Sequence, residues 1–380
     1  MERVLVVYGT RPEAVKLAPV VHALQADRRL TPVVCVTAQH RELLDQMNAR
    51  FGIEPAEDLD LMRTGQTLDE VTASVVQGMA PVLERLNPAA VVVQGDTTTS
   101  FAAALAAFYA QIPVAHVEAG LRTGKRYAPF PEELNRRLTT QLASIHLAPT
   151  AASRANLRRE GIRGDDIFVT GNTVIDALRW MEDRLDPVPG GELGEVLASG
   201  GPIVLVTVHR RESWGQPLQS IAAALAVLAA RHPEAAIVVP LHPNPLVRST
   251  VTAATNEHAN VLLLEPLGYS DFIRVMRSAT VVLTDSGGVQ EEAPSFGRPV
   301  LVLRDTTERP EGIDAGIVRL IGTETTAIVE GVSELLTDVA AREGMQRVAS
   351  PYGDGRAADR CVRALRHVLF GEPRPDDFSP

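Results

Sequence analysis

"TVVLTDSGGVQEEAPSFGRPVLVL", residues 280–303, passes from an apolar run (Val281, Val282, Leu283) through Ser286-Gly287-Gly288 into a helix start, then into a second apolar run from Pro299. That succession makes a strand, a tight turn, a helix and a parallel strand. Both runs are continuous instead of alternating, as expected of parallel strands buried on two faces. The Ser286-Gly287-Gly288 turn then sits at the carboxyl end of a strand, where open parallel sheets bind their ligands. Its backbone N–H groups, opening a helix, would cradle an anion such as phosphate. Glu291 and Glu292 follow within two turns, and a carboxylate near an anion site needs a reason.

The same rhythm runs outward from this unit. Upstream in the second half lie "PIVLVT" (202–207), "AIVVPL" (236–241) and "NVLLLE" (260–265); the first half carries "RVLVVY" (3–8), "PVVCVT" (32–37), "AVVVQG" (90–95), "PVAHV" (113–117) and "IFVT" (167–170). Each is followed by a segment of helical spacing. Two doubly wound, Rossmann-like α/β domains are therefore expected, with an active site in the cleft between them. "DPVPGGELGEVLASGGP" (186–202) is dense in proline and glycine and reads as a linker or long surface loop.

Composition narrows the function classes. With 45% hydrophobic and 22% charged residues among 380, the chain has the usage of a globular protein with room for two cores. Its longest apolar stretches, such as "IAAALAVLAA" (221–230), are too short to span a bilayer. Met1-Glu2-Arg3 leads directly into strand-like sequence, leaving no room for a signal peptide, so a cytoplasmic protein with no membrane partner is expected. Cys35 and Cys361 have neither disulfide nor C-x-x-C spacing and read as buried small hydrophobes. A net charge of −10 without a basic stripe disfavours nucleic acid.

The loops after the strands hold the chemistry. "GTRPEAVKLAP" (9–19) has a capping Thr10, Pro12 at the first helical position and Glu13 in the first turn. It lacks G-x-G-x-x-G, so a nicotinamide cofactor has no support, and it sets Arg11 and Lys16 near a helix N-terminus that favours anions. Solvated surface charge is the plain alternative for both. Asp96 in "GDTTTS" (95–100), Glu118 in "HVEAGLRTG" (116–124) and Glu132 in "RYAPFPEELNR" (126–136) bring a carboxylate to each of three loops. An N-cap role is the alternative for Asp96. "VTVHRRES" (206–213) ends a strand on His209, Arg210 and Arg211, and "PLHPNP" (240–245) presents His242 similarly; imidazole and guanidinium donors suit phosphoryl oxygens. "RDTTERPEG" (304–312) adds Arg304 and Arg309. No His or acidic pair has metal-ligand spacing, so no metal is expected. Cations and amides suit a diphosphate, carboxylates suit hydroxyls and proton transfer, and together they imply a nucleotide sugar.

These segments, with "TAQHRELLDQ" (37–46), "TGNTVIDAL" (170–178) and "SPYGDG" (350–355), resemble the non-hydrolysing UDP-N-acetylglucosamine 2-epimerases of bacteria, in order from residue 3 to about 365. The resemblance implies a glycosyltransferase-B-like fold, a homodimer, no redox cofactor, and interconversion of UDP-N-acetylglucosamine with UDP-N-acetylmannosamine through UDP elimination to 2-acetamidoglucal. It further implies a first domain over 1–171 and a UDP-binding domain over 172–364. A C-terminal helix around "AADRCVRALRHVLF" (357–370) would cross back onto the first domain, to which about 365–380 then belongs. Asp96, Glu118, Glu132 and His209 match the family's catalytic residues. Arg11, Lys16, His209, Ser286, Gly287, Gly288 and Glu292 match positions that hold UDP, Glu292 at the ribose hydroxyls; Phe272 and Arg309 are further candidates on the nucleotide side. Glu291 has no such match and reads as a favourable charge in the first helical turns. Gln39, His40, Arg210 and His242 match a second site where substrate activates some members. Glu42 and Gly65 depart from that site's pattern, and the missing arginine at 65 predicts weak or absent activation. A retaining glycosyltransferase of the same fold, an epimerase of a related UDP-sugar and a non-catalytic nucleotide-sugar sensor are the alternatives.

Overall fold

Short, mostly apolar runs of up to seven residues form the strands of a computed structural model that describes residues 1–380 apart from 38–40, 62, 64, 211–212 and 347–349. Among the described residues the strands are β1 (Glu2–Tyr8), β2 (Leu30–Val36), β3 (Glu57–Asp58), β4 (Ala90–Gln94), β5 (Val114–Val117), β6 (Ile145–Ala148), β7 (Ile167–Val169), β8 (Ile203–Thr207), β9 (Ala236–Pro240), β10 (Val261–Leu264), β11 (Val281–Thr284), β12 (Val300–Val302) and β13 (Val318–Leu320). They make two sheets, ordered β3-β2-β1-β4-β5-β6-β7 and β10-β9-β8-β11-β12-β13, with every pairing parallel. Both are doubly wound, and strand order reverses between β1 and β4 in one and between β8 and β11 in the other. Ligand sites of such sheets lie at those reversals, beyond the carboxyl ends of the strands.

The chain divides into two compact units, Met1–Arg179 with Tyr352–Pro380, and Trp180–Pro351. In the first, β1 is the buried centre, with Val4 to Tyr8 fully inaccessible. Alanines 102, 103, 104, 106 and 107 give the helix Thr98–Tyr109 a flat face that approaches the sheet closely. The C-terminal helix runs Ala357–Phe370, as expected from its sequence, and the buried Asp176 carboxylate starts it there by accepting from the amides of Ala357 at 3.1 Å and Ala358 at 2.8 Å. The tail after Gly371 covers the edge of β7: Phe378 N–H donates to Val169 O at 2.7 Å, and Asp377 accepts from Val169 N–H at 2.9 Å.

The second unit packs one apolar cluster on each face of its sheet. Residues 186–202 are not the connection between units. They contain a helix, Gly191–Ser199, in which Leu193 is buried and Val196 and Leu197 pack beside it, an i, i+3, i+4 stripe hidden in sequence by its glycines.

His116 on β5 and His146 on β6 stand opposite each other in register, and burial pushes both down to about 4 from an ordinary 6.5. The unfolded chain therefore binds more protons between those values, and stability is lost as pH falls from 6.5 towards 4. The urea midpoint is expected to drop across that window, and His146→Gln to flatten the drop.

Candidate active site

At the first reversal point, Glu13 ties the two flanking loops together. Its Oε2 accepts from the Gly9 amide at 3.1 Å and the Thr10 amide at 2.8 Å, closing a capping box with Thr10. Its Oε1 accepts from Thr97 Oγ1 at 2.6 Å and Ser100 Oγ at 2.8 Å, the N-cap and first turn of the helix Thr98–Tyr109 that follows β4. Burial pushes its pKa up even so. Glycine at position 9 follows from the closeness of this packing, since a Cβ there would overlap the Thr37 and Thr99 side chains.

Glu118, directly after β5, has φ +63. The left-handed region costs a non-glycine residue about 1–2 kcal/mol, so something must hold it there. Its carboxylate accepts from Lys16 Nζ, from Gln94 Nε2 and, at 3.1 Å, from Asn172 Nδ2. These donors converge on a side chain that is 6% exposed and suit its anionic form. Lys16, expected among the cations that hold the nucleotide, has its ammonium on Glu118.

Asp96, at the end of the loop after β4, is paired with Arg136 at 2.5 Å, and its carbonyl accepts from Asn135 Nδ2 at 3.0 Å. Arg136 also reaches Glu133 at 3.0 Å, and fully buried Glu133 accepts from the Thr123 and Gly124 amides at 3.0 and 3.2 Å. Glu133 thus builds the loop, whereas Glu132, half-buried at the first position of the helix Glu132–Leu142, is the acid beside it. Arg11 opens the helix Arg11–Gln25 and is half-buried.

In the second unit the loops after β8 and β11 meet through Asp285. His209 and Arg210 lie on the first loop, Ser286 on the second. Gly287 opens the helix Gly287–Ser295, with Ser286 as N-cap. A Cβ at Gly287 would lie 2.6 Å from Arg309 Nη1 and 3.3 Å from Arg210 Nη2. Two guanidinium groups therefore crowd the amide end of this helix, a strong place for a phosphate. Glu292 is buried a turn further on; its Oε1 would be 3.8 Å from a Cβ at Gly288.

One expectation changes in this unit. Glu291 is no exposed dipole charge: it is 1% exposed and accepts from Arg309 Nε at 2.7 Å. Arg309 is itself buried between Glu291 and Glu308, and Arg304 grips Glu308 through two bonds of 3.1 and 3.3 Å. Burial opposes ionisation of Glu308, but Arg309 and Arg304 outweigh it and hold the carboxyl at about 2. The partly buried Phe272 ring packs against the apolar cluster under β11 and β12, after the turn proposed for the nucleotide side. Of the second-site residues, Arg210 and His242 are described, whereas Gln39, His40 and the Glu42 side chain lie outside the described residues. The His242 and His209 rings stack at 6.2 Å and 27°. Among the described residues no group of three or more His, Cys, Asp or Glu could hold a metal ion, and no helix is long and apolar enough to cross a membrane.

Gln94, Asn172, Arg136 and Asp285 are the partners that sequence did not disclose. Only Asp285 carried a signal, an acid at a strand end like Asp96.

A family model described as UDP-N-acetylglucosamine 2-epimerase matches residues 22–366. A UDP-N-acetylglucosamine 2-epimerase of Yersinia pestis is 51% identical over 370 residues, 96% of this chain and 98% of that one. The crystal structure of a UDP-GlcNAc 2-epimerase from Neisseria meningitidis bound to UDP-GlcNAc has a TM-score of 0.89 at 45% identity, covering 96% of this chain and 99% of that one. A glycosyltransferase from Streptomyces nogalater, at 19% identity and a TM-score of 0.60 over 97% and 99% of the two chains, shares the fold.

Proposed function

Since the chain belongs to the UDP-N-acetylglucosamine 2-epimerase family and is an isomerase, we propose that it interconverts UDP-N-acetylglucosamine and UDP-N-acetylmannosamine by eliminating UDP and adding it back. The observation that carries the proposal is Glu118, held on left-handed backbone at a strand end by Lys16, Gln94 and Asn172. Ordinary structural acids are not kept in strained backbone by three convergent donors.

The chemistry follows from the substrate. C2–H is not alpha to a carbonyl, so no side chain can remove it to a stabilised carbanion. Breaking the C1–O bond first, its electron pair leaving on the diphosphate, gives C1 oxocarbenium character and acidifies C2–H. A carboxylate then takes the proton, the C–H pair becomes the C1=C2 bond, and 2-acetamidoglucal and UDP are formed. Reversal with protonation of the other face of C2 gives the epimer, so acid/base groups are needed on both faces. Glu118 and Asp96 act at C2 in this reading, with Glu132 close by. His209, Arg11 and the amides of Ser286, Gly287 and Gly288 stabilise the departing diphosphate. Arg309 positions the helix start. The route needs no cofactor.

Incubation with UDP-N-acetylglucosamine alone in heavy water tests this. Deuterium should enter C2 as UDP-N-acetylmannosamine accumulates; recovery of unlabelled substrate would instead favour a glycosyltransferase waiting for its acceptor. Glu292, placed one sugar away from the cradle, accepts from the ribose hydroxyls. Glu292→Gln is accordingly expected to raise KM about tenfold, the loss of about one hydrogen bond to a charged group, with kcat little changed. A homodimer in the cytoplasm completes the proposal, and sedimentation as a single 40.9 kDa species would contradict the dimer.

A further inference from the structure

We infer that Asp285 is a positioning residue that decides which ring nitrogen of His209 faces the substrate. The inference rests on the assignment of His209 to the diphosphate end of the site. Asp285 follows β11 and His209 lies just beyond β8, so the pair bridges the reversal point of the second sheet. The carboxylate is fully buried and is surrounded by donors: His209 N–H at 3.0 Å, Arg210 N–H at 2.9 Å, Ser213 Oγ at 3.1 Å and His209 Nδ1 at 3.0 Å. An ionised carboxylate only accepts, so Nδ1 of His209 must carry a proton. Burial works against ionisation here, but the His209 ring and the two amides outweigh it and hold the Asp285 carboxyl below its ordinary range. Two amide bonds anchor the His209 backbone while the ring bond sets its rotation. Nε2 is left as the outward nitrogen of a side chain that is 42% exposed.

Among the described residues, the other groups around the ring do not compete for this arrangement. Nδ1 of the stacked His242 accepts from the Asn244 amide at 3.2 Å, so a neutral His242 carries its proton on Nε2. Burial, then His209, push the His242 pKa down and keep that ring uncharged. Arg210 places its guanidinium towards Gly287, and Ser213 is committed to Asp285. Asp285 is thus the anion available beneath His209 when its ring becomes an imidazolium. With Nδ1–H fixed, Nε2 is the nitrogen that takes a second proton from solvent when the anionic diphosphate binds; it then donates to a phosphate oxygen as the C1–O electron pair moves onto it, and Asp285 stabilises the resulting imidazolium. Without Asp285 the neutral ring is free to take the other tautomer.

Long-range 1H–15N correlation spectra of the full chain labelled with 15N-histidine read the tautomer directly, His209 being assigned by the signal missing in His209→Gln. The expected result is an Nδ1-protonated pattern in the unsubstituted enzyme and an Nε2–H pattern in Asp285→Asn. Turnover in that variant should fall about 10²- to 10⁴-fold with KM changed by less than about threefold. An Nε2–H tautomer in the unsubstituted enzyme overturns the inference, and so does an Asp285→Asn enzyme that keeps both its tautomer and its turnover. If Asp285→Asn does not fold, the spectrum of the unsubstituted enzyme alone decides. His209→Gln with full turnover would remove the diphosphate role of His209, and with it the catalytic consequence, whatever the tautomer.

Discussion

Glu118→Gln is expected to lower kcat for epimerisation by about 10²- to 10⁴-fold, the range that one proton-transferring side chain supplies. Glutamine keeps the shape of the side chain but cannot take the C2 proton, so deuterium incorporation should fall in step with turnover. The substitution also leaves the Lys16 ammonium, 11% exposed, without its carboxylate, and breaking a buried pair from one side costs about 3–5 kcal/mol. A lower denaturation midpoint should therefore accompany the loss of activity. The two effects separate in Glu118→Gln with Lys16→Met: removing the ammonium that Glu118 held should restore part of the midpoint and none of the turnover. Near-normal turnover in Glu118→Gln would pass the proton chemistry to Asp96 or Glu132.

The doubly wound fold could be read because its central strands are long, apolar and β-branched: β1, β4, β8 and β11 each declare themselves. The strands that escaped are those whose pairing comes from neighbours. β3 is two acidic residues at a sheet edge, β13 carries Arg319 between two apolar residues, and β6 carries a buried histidine. None is long enough to show a period. The site divided along a similar line. Strand-end carboxylates and the glycine turn are local patterns, visible in a few consecutive residues. Their partners are not: Asn172 reaches Glu118 from 54 positions away, and Asp285 reaches His209 from 76. Glu291 shows the same limit from the other side. Its place at the fifth position of the helix Gly287–Ser295 matches a surface dipole charge, and only the arrival of Arg309 from 18 positions away makes it a core residue.

That burial gives Glu291→Gln a second large effect, on stability. Glu291 and Glu308 balance Arg304 and Arg309 in a cluster where all four side chains are 8% exposed or less. Removing one carboxylate breaks the buried Glu291–Arg309 pair from one side, at a cost of about 3–5 kcal/mol. Glu308 cannot absorb the loss, because it is already shared between both arginines. The urea midpoint should fall accordingly, and Glu291→Gln with Arg309→Met should recover much of it, since an apolar replacement of a buried pair is often close to neutral. Catalysis adds a readout that stability alone would not move. Arg309 Nη1 lies against Gly287, so losing its tether to Glu291 disturbs the amide end of the phosphate-binding helix. In folded enzyme, KM for the nucleotide sugar should rise in both variants, whereas the recovery of stability should appear only in the double substitution. A Glu291→Gln enzyme with an unchanged midpoint would mean that water reaches Arg309 and that the cluster is not sealed.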